Sequence, residues 1–127
     1  MARALLAAAA VSGFLAVALG AFGAHGLERH LAGAPDLARR MEWWRTAAAY
    51  HLAHSLAVAI AALVAGRAGT AGVVGALAFL AGIVLFSGSL YAMTLTGARG
   101  LGAVTPVGGV AFLVGWAALL VAALRMR

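Results

Sequence analysis

Four long apolar runs dominate the chain, separated by short polar links and one long one. The first extends from Ala4 to Ala24 without a charge. The second, Thr46 to Ala65, carries no charge but holds His51 and His54. The third is Ala71 to Thr94, and the fourth is Thr105 to Leu124. A helix crossing the hydrocarbon core of a bilayer needs about 20 residues at ~1.5 Å rise each, and each run meets that length. None alternates apolar with polar residues as barrel strands do, so the segments are helices with their backbone polar groups satisfied internally. Thr105 suits an N-cap and Pro106 the first turn of the fourth helix. The expected fold is all-α: a single membrane domain over residues 1–127, an integral membrane four-helix bundle with both termini on the same side.

The links refine this picture. "GRAG" at 66–69 and "LTGARGLGAV" at 95–104 are short connections. The link 25–45 is long, and part of it has helical character. Leu37, Met41 and Trp44 recur at helical spacing, while Asp36 and Arg40 form an i,i+4 pair on another face. Residues 35–45 therefore read as a short amphipathic helix on the membrane surface or an extension of the second span. Trp43, Trp44 and Arg45 are the expected interface anchors.

Composition supports a membrane protein. Hydrophobic residues make up 65% of the 127, against nine basic and three acidic ones. Mean hydropathy is +1.06. Soluble domains carry about 25% charged residues, so this chain has too little polar surface to be one. All nine basic residues are arginine, and with the abundant Ala and Gly this suggests a GC-rich, bacterial genome. Despite a net charge of +6, the arginines flank apolar runs instead of clustering, so the expected partner is the lipid bilayer and not nucleic acid. The absence of cysteine excludes disulfides and thiolate metal sites. The first apolar run exceeds the 7–15 residues usual for a cleaved signal peptide, which favours a retained helix.

Four spans divide the arginines between two sides. Arg3, Arg67, Arg125 and Arg127 lie on the side of the termini; Arg29, Arg39, Arg40, Arg45 and Arg99 lie opposite, with Glu28, Asp36 and Glu42. Because the terminal-side arginines are unopposed and the N-terminal amine adds to them, the termini are expected to be cytoplasmic.

Polar residues gather on the side opposite the termini. His25 and His30 follow the first span, Tyr50, His51, His54 and Ser55 open the second, and Ser87, Ser89, Tyr91 and Thr94 close the third. Counted from Thr46, His51 lies ~7 Å deep and His54 ~12 Å; counted from Thr94, Ser87 lies ~10 Å deep. The terminal-side halves carry little that is polar beyond Ser12. An ionisable residue inside a membrane marks a candidate functional site, so His25, His51, His54, Ser87, Ser89 and Tyr91 form a candidate ligand pocket. His51 and His54, at i,i+3, are expected to share a helical face, as are Ser87 and Tyr91. A His-to-Ser or His-to-Tyr hydrogen bond between spans two and three would tie the bundle together. Alternatively, His25, His51 and His54 supply three nitrogens for zinc, copper or haem, although no carboxylate lies within a span to orient them. Catalysis finds little material: Ser87 and Ser89 have His54 as a base but no acid partner. No catalytic residue is assigned.

Small residues offer packing surfaces. Gly20, Gly23 and Gly26 recur at steps of three, Gly88 sits in the third span, and Gly108 and Gly109 open the fourth. Gly72, Gly75, Gly82 and Gly115 add to them. Such residues let helix backbones approach closely in lipid, within one chain or between copies. "GAHGL" at 23–27 and "GARGL" at 97–101 are a faint internal echo.

"GAFGAHGLE", "YHLAHSLA" preceded by Trp, "FSGSLYAMTLTG" and "TPVGGVAFLVGWAAL" occur in order along nearly the whole chain. Together they resemble the family called domain of unknown function 423, small four-helix membrane proteins that include transmembrane protein 256. The resemblance implies four membrane helices and, for bacterial members, the inner (cytoplasmic) membrane. It implies no activity, ligand or cofactor. The residues themselves favour a non-enzymatic role: binding a lipid-like or small ligand, or supporting a membrane complex. A metal- or haem-binding redox protein and a small transporter are the alternatives. A second copy of the chain or a membrane-complex partner is the candidate protein partner.

Overall fold

The computed structural model describes residues 1–126. Arg127, counted above among the terminal-side arginines, lies outside the described residues. The elements are α1 (Ala2–His25), α2 (Leu27–His30), α3 (Leu37–Ala68), α4 (Thr70–Gly82), a π-helical segment (Ile83–Ser87), α5 (Gly88–Thr96), a 3₁₀ segment (Arg99–Ala103) and α6 (Thr105–Arg125). No strand occurs among the described residues. Helix α4, the π segment and α5 continue one another, giving four long apolar helices able to cross a membrane: 2–25, 37–68, 70–96 and 99–125.

The link 35–45 resolves as an extension. Helix α3 runs through it for 32 residues, or ~48 Å, well beyond the ~30 Å hydrocarbon core. Glycines end these helices where the chain turns sharply. Gly69 (φ +60°) reverses the chain between α3 and α4, and Gly97 (φ +72°) ends α5 with its N–H on the Met93 carbonyl. A side chain at Gly97 would also strike the Arg40 guanidinium.

Each long helix runs antiparallel to the one before. Ser12 and Leu19 of α1 meet His51 and Trp44 of α3. Ala47 and Arg40 of α3 meet Ser87 and Thr94. Gly82 and Gly108 meet Phe112 and Phe86 respectively. Helix α3 is the central element, packed against α1 on one flank and against α4, α5 and α6 on the other.

The main core joins Leu5, Ala9, Val58, Ala61, Phe79 and Phe112, among others. The outside is equally apolar: Phe14, Leu63, Leu113 and Leu124 are between 66% and 78% exposed. In water that surface would be untenable; facing lipid tails it has no cost. Shape complementarity through small residues then carries the packing. A Cβ at Gly23 would enter the Trp44 ring, and one at Gly108 would meet the Phe86 backbone. Gly82 makes the same close approach to Phe112, Gly115 to Phe79, and Gly72 to the Ala65 backbone. Close packing within the chain is not seen at Gly20, Gly26, Gly88 and Gly109. A Cβ at Gly20 would meet nothing within 4 Å, and at Gly88 and Gly109 it would find only ordinary contact. At Gly26 it would meet Phe22 of its own helix end.

Two further expectations are corrected. Thr105 does not cap α6 with its side chain; Val104 holds the cap position, and the Thr105 hydroxyl bonds Ser89 Oγ across the helices at 2.7 Å. Trp44 is not an exposed anchor. It is 3% exposed among Leu27, Leu31 and Met41, and its indole N–H donates to the Leu19 carbonyl at 2.8 Å. A buried indole needs such an acceptor. Trp43 is half-buried against Leu90 and Met93, while Arg45 is exposed.

Candidate functional site

The two histidines of "YHLAHSL" serve different neighbours. Three residues along a helix is 300° of turn, so side chains at i and i+3 point ~60° apart. On a central helix with partners on both flanks, that angle suffices to separate them. His51 turns toward α1 and α5; His54 turns toward α6.

His51 sits in a chain of hydrogen bonds. Its Nε2 lies 3.2 Å from Ser12 Oγ, and its Nδ1 lies 3.2 Å from the Tyr91 hydroxyl. Ser12 Oγ lies 2.7 Å from Ser55 Oγ, which lies 2.7 Å from the His51 carbonyl. The direction of each bond follows from the protons available. A carbonyl only accepts, so Ser55 donates to it. The Ser55 proton is then spent, so Ser12 donates to Ser55. Ser12 in turn accepts from His51, which places the imidazole proton on Nε2. Nδ1 is left as a lone pair and accepts from Tyr91. The chain therefore runs from Tyr91 through His51 and Ser12 to Ser55 and back to the backbone.

His54 holds the other tautomer. Its Nδ1 lies 2.8 Å from the Tyr50 carbonyl and must donate to it, so Nε2 is bare and accepts from the Trp116 indole N–H at 3.3 Å. The ring stacks on Phe112 with centroids 3.6 Å apart and on Tyr50 at 5.7 Å. His54 is thus the polar centre of an aromatic cluster joining α3 to α6.

The remaining predicted residues are dispersed. Ser87, fully buried in the π segment, donates to the Ala47 carbonyl at 2.8 Å. Ser89 bonds the Phe86 carbonyl and Thr105. His25 is exposed at the end of α1, beside a shallow depression lined by Glu28, Arg29 and Leu37. His25, His51 and His54 therefore do not converge, and the imidazole nitrogens of His51 and His54 are already engaged. Among the described residues no three His, Cys, Asp or Glu side chains gather as a metal would need.

The expected His-to-Tyr bond is present as His51–Tyr91, but the serine partner is Ser12 of α1 and not Ser87. Ser12 was legible only as a lone hydroxyl in an apolar run; antiparallel pairing of α1 with α3 brings it to the depth of His51.

Beside His51 lies a crevice of about 630 Å³. Ala8, Val11, Leu15 and Leu19 of α1 form one wall; Leu80, Ile83 and Val84 form the other. Ser12, His51 and Tyr91 are the polar side chains lining it. Val11 and Val84 are 60% and 69% exposed, so its mouth opens on the lipid-facing surface. The π segment borders it through Ile83, Val84 and the following Gly88; such segments often mark functional sites in helices.

At the end of the bundle where α3 begins, Asp36 bonds Arg40 Nε at 2.8 Å and approaches Arg99 at 3.6 Å. Arg40 also donates to the Thr94 carbonyl, and Thr94 Oγ1 donates to that of Arg40. Desolvation alone would raise the Asp36 carboxyl, but the hydrogen bond and charge of Arg40, helped by Arg99, outweigh it and hold it below its ordinary value.

Comparison with known proteins agrees with this architecture. A family model described as "Protein of unknown function (DUF423)" matches residues 19–109, well over half the chain. The UPF0382 membrane protein YwdK of Bacillus subtilis is 43% identical over 118 residues, 91% of this chain and 92% of that protein. The UPF0382 inner membrane protein YgdD of Escherichia coli K12 is 46% identical over 126 residues, 98% of this chain and 92% of that protein. A Staphylococcus epidermidis UPF0382 membrane protein is 40% identical over 116 residues, covering 91% of each chain. No solved structure matches. With its four apolar helices and these relatives, the chain is a multi-pass inner-membrane protein and belongs to the family described as protein of unknown function DUF423.

Proposed function

We propose that this protein holds a lipid-like or small apolar molecule, without chemical turnover, in the crevice between α1 and the Leu80–Tyr91 stretch. One observation carries the reading: a lipid-facing cleft of about 630 Å³ whose apolar walls end on the hydrogen-bonded group Ser12, His51 and Tyr91. Mostly apolar pockets with a few convergent polar groups are the usual form of a small-molecule site. No acid lines the crevice, and both nitrogens of His51 are engaged, so general acid–base chemistry has no ready group. In this reading the chain is a single membrane domain. Its termini face the cytoplasm, and the crevice straddles the middle of the bilayer, bordered by residues 7–19 of α1 and 80–91 of the third long helix.

Native mass spectrometry of gently solubilised protein tests this. A bound mass is expected in the wild type and should be absent from Val84→Trp, which fills the mouth of the crevice from an exposed position. A wild type that flies as bare protein, or a bound mass untouched by Val84→Trp, would count against the crevice as a binding site.

A further inference from the structure

Resting on the crevice reading above, we infer that its ligand ends in a hydrogen-bond donor: an apolar chain or ring system terminated by a hydroxyl. Tyr91, His51, Ser12 and Ser55 have four donor protons between them, and each is committed within the chain that ends on the His51 carbonyl. His51 is the neutral imidazole in this count, since no carboxylate lines the crevice to balance a charge. What the group still has are lone pairs: the phenolic oxygen of Tyr91, and the second lone pair of Ser12 Oγ. The other lining residues are Ala, Val, Leu, Ile and Gly, which bring no polar side chain. The polar side chains that line the crevice therefore have acceptor lone pairs left and no free side-chain proton.

This distinguishes lipid classes of similar bulk. A long-chain alcohol, a diacylglycerol, a protonated fatty acid or a hydroquinone has an O–H to give. An ester, an ether or a ketone has only lone pairs, and would set them against those of Tyr91 and Ser12. Water could not relieve that mismatch cheaply in a cleft walled by Val11, Leu15, Leu80 and Val84.

The test uses 1-hexadecanol and its methyl ether, which share the chain and differ in the donor. Each is titrated into the full-length protein in micelles and read by native mass spectrometry, for wild type, Val84→Trp and, from the opposite wall, Val11→Trp. Both substituted positions are exposed, so the bundle keeps its packing. The alcohol is expected to bind about 3- to 10-fold more tightly than the ether, with both plugging variants abolishing that preference. Equal binding of the two probes, or tighter binding of the ether, with loss in the plugging variants, would overturn the donor inference and leave the crevice reading standing. Binding indifferent to both plugs would overturn both.

Discussion

His51 and His54, three residues apart on α3, hold opposite tautomers: His51 has its proton on Nε2, facing Ser12, and His54 on Nδ1, facing the Tyr50 carbonyl. The difference follows from what each ring meets. His51 Nδ1 accepts a hydrogen bond from the Tyr91 hydroxyl, and His54 Nε2 accepts one from the Trp116 indole N–H. Two residues that look equivalent in the sequence therefore do separate work, one beside a lipid-facing crevice and one inside an aromatic joint.

The tautomers can be read directly. Long-range ¹H–¹⁵N correlation of imidazole-labelled protein should show the ε form for His51 and the δ form for His54 near neutral pH. Tyr91→Phe removes the donor to His51 Nδ1 and should destabilise the bundle by about 0.6 kcal/mol, and by no more than roughly 1.7, as membrane hydrogen bonds do. Finding the same tautomer at both positions would contradict the bonding pattern described here.

Helix packing makes a sharper contrast. Gly108→Ala places a methyl against the Phe86 backbone, which cannot move aside as a flexible side chain would. Overpacking of this kind costs about 1–3 kcal/mol. Gly20→Ala meets nothing within 4 Å, and gains about 0.5–1 kcal/mol from the better helix former. Thermal unfolding in one detergent should move in opposite directions for the two variants.

Trp44 and Trp43 separate in the same way. Trp44→Phe loses the bond to the Leu19 carbonyl and should lower stability by about 0.6–1.7 kcal/mol. Trp43→Phe, at a half-buried position, should change it less. Equal losses in the two variants would argue for a shared interfacial role.

Asp36 gives a pH dependence. Its folded pKa lies below its unfolded value, so the stability it contributes is fully present above the unfolded pKa, near pH 4. That stability is lost as pH falls through the folded value. Melting temperatures of wild type should therefore drop on acidification below about pH 4, and Asp36→Asn should start lower and flatten that part of the profile. A profile unchanged by the substitution would remove Asp36 from the account.

These cases show what could be read from residues alone. The four helices were legible because span length and hydropathy are local properties: an uncharged run such as Ala4–Ala24 states its environment by itself. The continuation of α3 through 37–45 was legible as one of two options, from the spacing of Leu37, Met41 and Trp44. Which way a side chain faces was not. In lipid the inside and outside of a bundle are equally apolar, so Trp44 could not be told from an exposed anchor, nor Gly108 from Gly109. Ser12 joined His51 only through the pairing of α1 with α3, which no local pattern encodes. The π segment at Ile83–Ser87 likewise lies in an unbroken apolar run that reads as ordinary helix.

The central claim is that His51 belongs to a ligand site and His54 to the packing. Native mass spectra of gently solubilised wild type, His51→Ala and His54→Ala, recorded side by side, test it most directly. A bound lipid-like mass is expected in the wild type, lost in His51→Ala, and retained in His54→Ala despite a lower melting temperature. A mass that survives in His51→Ala, or that disappears only from His54→Ala, would contradict it.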